Sequence, residues 1–345
     1  MNVNLHPARG RASASRPITQ RKPIVLQFPD PTSPIPAQAV IYSDLGGFEV
    51  VSIGERSVRP PAADEVRIRV AAAAVNPTDI LLRDPGQGKL KLPMTPGMDA
   101  AGVVEAVGKD VVRLSVGDEV MAAVLPGRDD GGAQASYIVV PAASVVLKPA
   151  NVTLIEAATV PMNGLTALYA LDRAALLPGQ TLAVTGGAGW LAYQTIVLAK
   201  LRGLRVLADA KAEEMDLVRG YGADIVVQRA EKFADAVRRE VPDGVDALLD
   251  TALLAEDAFP AIKDRGTYIP VRGWRDKPEE HRIRIQPVLV PEVLDRTDWL
   301  EILRKMVEAG HIIPRVAAEY APKQVEDAQR SLLAGGVRGR LVLVF

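Results

Sequence analysis

Two rhythms of apolar and polar residues divide the chain. From about residue 37 to 155, short apolar runs alternate with polar residues at a period of two, as in "EVRIRVA" at residues 65–71. This period is typical of half-buried β-strands. Gly108 and Gly117 punctuate the later runs "AGVVEAVG" and "VGDEVMAAV", where turns need a permissive backbone. The pattern predicts a β-rich domain, built as a barrel or a sandwich.

After about residue 156, strand-like and helical stretches alternate. The helical stretch "AEEMDLVRGYG" begins with acids and ends at Gly222. Strands that alternate with helices at this spacing imply right-handed crossovers and a parallel sheet. We therefore expect a doubly wound α/β domain with helices on both faces of the sheet. The strand-like runs lie at residues 181–184, 205–208, 225–227, 245–249 and 267–271.

Residues 1–36 follow neither rhythm. They are rich in proline and basic residues, with no acid before Asp30 and no periodic apolar face. This composition predicts a flexible N-terminal arm. An acid-poor segment with Arg and Ser also fits a transit peptide, although it lacks the apolar segment of a secretory signal. The flexible extension is the favoured interpretation.

Size, charge and cysteine content limit the classes of function that the chain can have. The 345 residues, 48% hydrophobic and 24% charged, can bury a sizeable core in two domains. A net charge of -1 offers no basic field for nucleic acid, and no apolar run approaches the roughly 18 residues that cross a bilayer. The absence of cysteine and the presence of only three histidines argue against a zinc site. We expect a cytoplasmic protein with no nucleic-acid or membrane partner.

A glycine motif opens the predicted α/β domain. Gly187, Gly189 and Ala192 form G-x-G-x-x-A directly after its first strand and before a helix. Gly187 permits a tight turn, Gly189 lets the backbone approach a pyrophosphate, and Ala192 keeps helix and strand close. The pattern predicts a dinucleotide site at a helix N-terminus, and the alternative is a strand–helix turn without a ligand. The predicted cofactor-binding loop comprises Gly186, Gly187, Ala188, Gly189, Trp190 and Leu191.

Trp190 occupies a variable position of this motif. Its side chain packs either over the cofactor or against the neighbouring domain, and the second alternative is favoured.

Several landmarks occur in a characteristic order: "AAVNPTDILLR", "TPGMDAAGVVEAVG", "PMNGLTALYAL", "VTGGAGWLAYQTIVLAK" and "RGRLVLVF". In these motifs the chain from about residue 37 resembles the zinc-independent medium-chain dehydrogenases/reductases, in particular the quinone oxidoreductase or zeta-crystallin-like branch. The resemblance implies a GroES-like catalytic domain at 37–155, completed by 293–345, and an inserted Rossmann domain at 156–292. It also implies a cleft between the two domains and a homodimer joined along a strand near 283–290.

The resemblance strengthens the argument against a metal. In zinc-bearing relatives, metal ligands occupy the positions that match Asn76, Met98 and Met162. Without Lewis-acid help, adding hydride to a quinone or to the activated C=C of an α,β-unsaturated carbonyl is more accessible than oxidising an alcohol. The expected activity is therefore an NAD(P)H-dependent reductase of such small molecules.

The stretch Asn76-Pro77-Thr78-Asp79 matches the active-site segment of this family. The resemblance gives Asn76 and Thr78 catalytic roles: Asn76 would donate its amide to the substrate oxygen or the nicotinamide ribose, and Thr78 would form a hydrogen bond nearby. The alternative is a turn in which Asp79 only caps a helix. Tyrosines that many relatives carry just after this segment are replaced by Leu81 and, approximately, Gln87. A dedicated proton donor is therefore not assigned, and water is the alternative source.

The remaining cofactor-binding predictions are Thr166, Asp209, Lys211, Arg229 and Thr251. Asp209 alone favours NADH, because an acid at the end of the second strand binds the ribose 2′-hydroxyl. The resemblance, however, implies that the acid of NAD-dependent relatives corresponds to Ala210, which cannot play that role. The cations Lys211 and Arg229 suit a 2′-phosphate. We therefore expect NADPH as the cofactor, with NAD possible. An enoyl-thioester reductase and a weakly catalytic cofactor-binding structural protein are the two alternative functions.

Overall fold

The computed structural model describes residues 29–87, 91–229, 232–272, 274 and 281–345. Most of the predicted flexible arm, residues 1–28, lies outside the described residues. The strands are β1 (Ile35–Tyr42), β2 (Val51–Val58), β3 (Glu65–Val75), β4 (Asp99–Val107), β5 (Glu119–Ala123), β6 (Tyr137–Pro141), β7 (Val145–Leu147), β8 (Thr181–Val184), β9 (Arg205–Ala210), β10 (Ile225–Gln228), β11 (Val245–Asp250), β12 (Ile262–Pro270), β13 (Arg284–Ile285), β14 (Val316–Tyr320) and β15 (Arg340–Val344). The α-helices are α1 (Pro77–Leu81), α2 (Leu154–Ala157), α3 (Pro161–Ala174), α4 (Trp190–Leu201), α5 (Met215–Gly220), α6 (Phe233–Glu240), α7 (Thr297–Glu308) and α8 (Val325–Ala334).

Strands β3 to β7 and the late strands β14 and β15 form one mixed sheet, in the order β14-β15-β3-β4-β5-β7, with β6 also paired to β3. Strands β1 and β2 pair apart from it as an antiparallel two-stranded ribbon. Strand β3 pairs antiparallel with β4, β6 and β15. It is long because "EVRIRVAAAAV" supplies small or β-branched residues that pack on both faces. The last strand of the chain therefore pairs with the strand that leads into the predicted catalytic segment.

The second sheet is parallel throughout, in the order β10-β9-β8-β11-β12-β13. Its central strands are buried, as expected for short apolar runs covered by helices on both faces. The strand order reverses between β8 and β11, which is the topological switch point where open α/β sheets bind ligands. The predicted fold class, a GroES-like β-rich part and a Rossmann sheet, is confirmed.

Helix α3 lies between the two sheets. Its residues are buried almost throughout, and they belong to one apolar cluster with Met121 of β5, Leu182 of β8 and Leu300 of α7. A helix that is apolar on all sides is typical of a position inside a core. The N-terminal turn of α3 thus reaches the space between the sheets from a rigid support.

The end of the predicted arm is ordered, so this part of the prediction is wrong. Strand β1 begins at Ile35, and the guanidinium of Arg67 donates to the carbonyl oxygens of Ser33 (2.8 Å) and Asp30 (3.1 Å). Arg67 is fully buried against Glu105. The carboxylate cannot accept all five N–H groups of an arginine, so carbonyl groups from residues 30–33 satisfy the rest.

Candidate active site

Two adjoining cavities lie between the sheets. The first, of about 250 Å³, is bordered by the loop after β8, the start of α4 and the ends of β11 and β12. The second, of about 390 Å³, is bordered mainly by apolar side chains. Residues common to both cavities mark the junction between them: Thr78, Leu81, Val271, Arg272 and Val290.

The glycine loop connects β8 to α4. Gly186 has a φ of +68°, a left-handed conformation that glycine adopts without strain. A Cβ on Gly187 would lie 2.6 Å from the carbonyl oxygen of Asp209, so only glycine fits beside β9. The tight turn predicted to depend on Gly187 thus depends on Gly186. Gly187 instead allows the loop to pack closely against β9.

The N-terminus of α4 fits a dinucleotide phosphate. The helix has twelve residues, begins at Trp190 and has Gly189 as its N-cap, with no side chain capping it. The first N–H groups of a helix have no partner within the helix and attract anions. Gly189, Trp190 and Leu191 border the first cavity, so the structure brings this part of the predicted loop to the cleft.

Trp190 is anchored at its polar end. Its Nε1 donates to the carbonyl oxygen of Thr159 at 2.7 Å, just before α3, and its ring stacks on Tyr193 with centroids 5.1 Å apart. The indole therefore ties the glycine loop to the segment that carries α3. This placement corresponds to packing against the neighbouring part of the chain rather than over an open cofactor site.

Asp209 faces the glycine loop. Its Oδ1 accepts the backbone N–H of Gly186 at 2.5 Å, and its Oδ2 lies 2.6 Å from Nε of Arg229. Asp209 and Arg229 border a third cavity, of about 710 Å³, together with Gln228 and Lys232. Lys211 is exposed at the start of a short 3-10 helix and is absent from the described lining of that cavity.

Asn76 is placed behind the cleft. It is fully buried as the N-cap of α1, and its Nδ2 donates to Oδ2 of Asp99 at 2.7 Å. The other oxygen of Asp99 accepts the backbone N–H of Met162 at 2.5 Å. The amide hydrogen that was predicted to reach a substrate is thus engaged by Asp99. Asn76 links the catalytic segment to α3.

Asp79 holds the same segment from the other side. Its carboxylate accepts the N–H groups of Asn76 (2.7 Å) and Gly97 (3.1 Å) and the side-chain amide of Gln134 (2.9 Å). Burial raises the pKa of Asp79 to about 7 and that of Asp99 to about 6. The buried guanidinium of Arg340 attracts both carboxylates and opposes these increases in pKa.

Thr78 is the predicted catalytic residue that the structure brings to the junction. Its hydroxyl is buried and has no hydrogen-bond partner within the described residues. A buried hydroxyl without a partner is costly, and a functional role is one explanation for such a group. By contrast, Thr166 donates to the carbonyl of Met162 (2.7 Å) and Thr251 to that of Thr185 (2.5 Å), so these two hydroxyls are used within the protein.

Sequence reasoning missed Arg272. It follows β12, at the carboxyl edge of the parallel sheet where ligands bind, and it borders both cavities. The available signal was its position one residue beyond a buried strand-like run. A single arginine after a strand does not differ in the sequence from an ordinary solvent-exposed arginine.

The residues that match metal ligands of zinc-bearing relatives do not form a zinc site. Asn76 is bonded to Asp99, and Met98 and Met162 offer only thioethers, whereas zinc takes thiolate, imidazole or carboxylate ligands. In the described ranges, from 29 to 345 with their gaps, no group of three or more His, Cys, Asp or Glu residues lies where it could hold a metal ion.

Comparisons with known proteins agree with this architecture. Residues 62–150 match the alcohol dehydrogenase GroES-like domain, and residues 221–343 match the zinc-binding dehydrogenase family. The chain is 32% identical to the chloroplastic NADPH-dependent alkenal/one oxidoreductase of Arabidopsis thaliana, over 91% of this chain and 81% of that protein. It is 31% identical to 2-methylene-furan-3-one reductase of Solanum lycopersicum, over 90% and 79%.

A solved structure, the quinone oxidoreductase from Coxiella burnetii, superposes with a TM-score of 0.77 at 24% identity, over 90% of this chain and 100% of that one, and shows the shared fold. The chain belongs to the medium-chain dehydrogenase/reductase family of oxidoreductases. The family predicted from the sequence motifs is confirmed.

Proposed function

We propose that this protein is an NADPH-dependent reductase of quinones and of the activated C=C of α,β-unsaturated carbonyl compounds. The observation that carries the proposal is the junction at Thr78, where an apolar cavity meets the glycine-loop cavity beside an unpartnered hydroxyl. The two plant relatives are named for NADPH dependence and for alkenal or furanone substrates, which supports the same chemistry here.

The first cavity would hold the cofactor. Gly186 to Leu191 and the N-terminus of α4 would bind its pyrophosphate, and Thr166 and Thr251 border the same space. When bound, NADPH supplies the hydride. The described residues of the chain then have to orient the acceptor, exclude water and stabilise the charge that develops on its oxygen.

Thr78 would stabilise that charge. Its hydroxyl can donate to the carbonyl oxygen of an acceptor whose apolar part occupies the second cavity, among Leu81, Met98 and Leu125. Asn76 and Asp79 act indirectly, because they fix α1 on which Thr78 stands. Among the described residues bordering the two cavities, no Tyr, His, Lys, Asp or Glu is available as an acid, so water supplies the proton.

The preference for NADPH over NADH rests on Asp209 and Arg229. The Asp209 carboxylate accepts the N–H of Gly186 and is paired with Arg229, so the arginine balances its negative charge. Arg229 uses only its Nε in that pair, so the rest of its guanidinium has no hydrogen bond within the described structure. It can therefore donate to a 2′-phosphate.

A homodimer in the cytoplasm completes the proposal. The short strand β13 ends the parallel sheet, and a second copy can pair along this edge. Among the helices of the described residues, none combines the length and apolarity that crossing a bilayer requires.

The test measures loss of NADPH absorbance with an enone, a small quinone and a crotonyl thioester, with and without EDTA. We expect turnover of the enone and the quinone, unchanged by EDTA. Turnover confined to the thioester would favour an enoyl-thioester reductase, and no turnover of any acceptor would favour a cofactor-binding protein with little catalysis. Loss of activity in EDTA that zinc restores would contradict metal-independent chemistry.

A further inference from the structure

Arg272 brings a positive charge to an otherwise apolar part of the cleft. It is exposed and borders both cavities at their junction, beside Thr78 and Val290. Among the described residues that border the second cavity, it is the only charged one, and the described lining of both cavities contains no Asp or Glu. The junction is therefore electropositive.

Arg272 also has no partner among the described residues. It forms no hydrogen bond or ion pair within the described chain, whereas Arg340, the other arginine beside the cleft, donates to Asn163. Arg67 and Arg229 are likewise paired, with Glu105 and Asp209. An arginine that lacks a partner where substrate and cofactor meet is free to bind an anionic group of either.

The position of Arg272 favours an interaction with the substrate over one with the cofactor. The second cavity extends from the junction away from the glycine loop, and its apolar lining suits a hydrocarbon group. Guanidinium binds carboxylate through two parallel hydrogen bonds, which a neutral ester cannot reproduce. An acceptor with an apolar chain at one end of its C=C and a carboxylate at the other matches both features.

Building on the proposed function, we infer that the preferred substrates are β-acylacrylates, R–CO–CH=CH–COO⁻, whose carboxylate is bound by Arg272. The apolar R group occupies the second cavity, and Thr78 donates to the ketone oxygen. Hydride from NADPH adds to the carbon that bears the carboxylate, and the C=C electron pair moves toward the ketone to give an enolate. Water then protonates the other carbon. The products are the saturated 4-oxo acid and NADP⁺.

The test compares (E)-4-oxonon-2-enoic acid with its methyl ester, which share one carbon skeleton and differ in charge. It uses the full chain, the variants Arg272→Gln and Arg272→Lys, and Arg265→Gln as a surface control outside both cavities. Wild type is expected to have a higher kcat/KM for the acid than for the ester. Arg272→Gln should lower kcat/KM for the acid by about 10- to 100-fold, mainly through KM, and leave the ester nearly unchanged.

Four further outcomes are informative. Arg272→Lys should keep part of the preference for the acid, since it keeps the charge and loses the paired hydrogen bonds. An equal loss of kcat on both substrates would overturn the inference and make Arg272 a stabiliser of the enolate. Weaker NADPH binding in Arg272→Gln, measured by cofactor fluorescence, with no discrimination between acid and ester would assign the arginine to the cofactor and also overturn it. Failure of wild type to reduce acid, ester or simple enone would instead contradict the proposed function itself.

Discussion

Asp209 and Arg229 form an ion pair beside the glycine loop, with Nε of the arginine 2.6 Å from Oδ2 of the aspartate. The second carboxylate oxygen accepts the N–H of Gly186, so the pair links the carboxyl ends of β8, β9 and β10. The negative charge of Asp209 is thus balanced within the protein. Its electrostatic repulsion toward a 2′-phosphate is smaller than an isolated acid at this position implies.

The first prediction concerns cofactor choice. Arg229→Ala should lower kcat/KM for NADPH by about 10- to 100-fold, because it removes a charge-assisted contact to the phosphate and leaves Asp209 unbalanced. The efficiency with NADH should change much less. Lys211→Ala is the matched control, since Lys211 is absent from the described lining of the cavity beside Arg229. A wild type that prefers NADH, or an Arg229→Ala variant with unchanged preference, contradicts the prediction.

The second prediction concerns Gly187 and Gly189 of the glycine loop. Gly187→Ala should destabilise the fold by about 1–3 kcal/mol, because the new Cβ would meet the backbone of Asp209. Gly189→Val should mainly weaken NADPH binding, because Gly189 borders the cofactor cavity. Thermal unfolding and cofactor fluorescence separate the two effects. NADPH binding by Gly189→Val as tight as that of wild type would show that the loop is not the pyrophosphate site.

The third prediction concerns pH. Burial raises the pKa of Asp79 to about 7, compared with about 3.9 for an unfolded aspartate. Between these values the folded protein holds a proton that the unfolded chain releases, so the free energy of unfolding falls as pH rises from about 4 to about 7. Asp79→Asn should flatten this dependence in urea unfolding measured at several pH values. The control is Asp216→Asn, whose side chain is exposed; equal slopes for wild type and Asp79→Asn would rule out the assignment.

The fourth prediction compares two shortened chains, one beginning at residue 29 and the other at residue 35. The second lacks the carbonyl groups of Asp30 and Ser33 and leaves N–H groups of the buried Arg67 without acceptors. Each unsatisfied group costs about 1–3 kcal/mol, so the chain beginning at residue 35 should melt several degrees lower. Equal melting temperatures would mean that water replaces these contacts at no cost.

Local patterns predicted the strands and the glycine loop well, because those features depend on residues close together in the chain. The run 181–184 and the glycines after it lie where the sequence placed them. Contacts between residues far apart in the chain could not be predicted from such local patterns. The bond from Asn76 to Asp99 turned a predicted substrate donor into a support for α1, and the carbonyl groups that bind Arg67 fixed a segment whose composition indicated flexibility. Thr78 and Arg272 lie far apart in the chain and border the same two cavities only in the folded protein.

The pairing of β15 with β3 has a consequence for synthesis on the ribosome. Val75 at the end of β3 aligns with Leu341, and Asn76 and Thr78 follow it directly. The edge of β3 that fixes this segment therefore stays unpaired until β15, far along the chain, has been translated. Translation that stops just before β15 would yield a chain that contains every predicted catalytic and cofactor-binding residue and still lacks the strand that positions the catalytic segment.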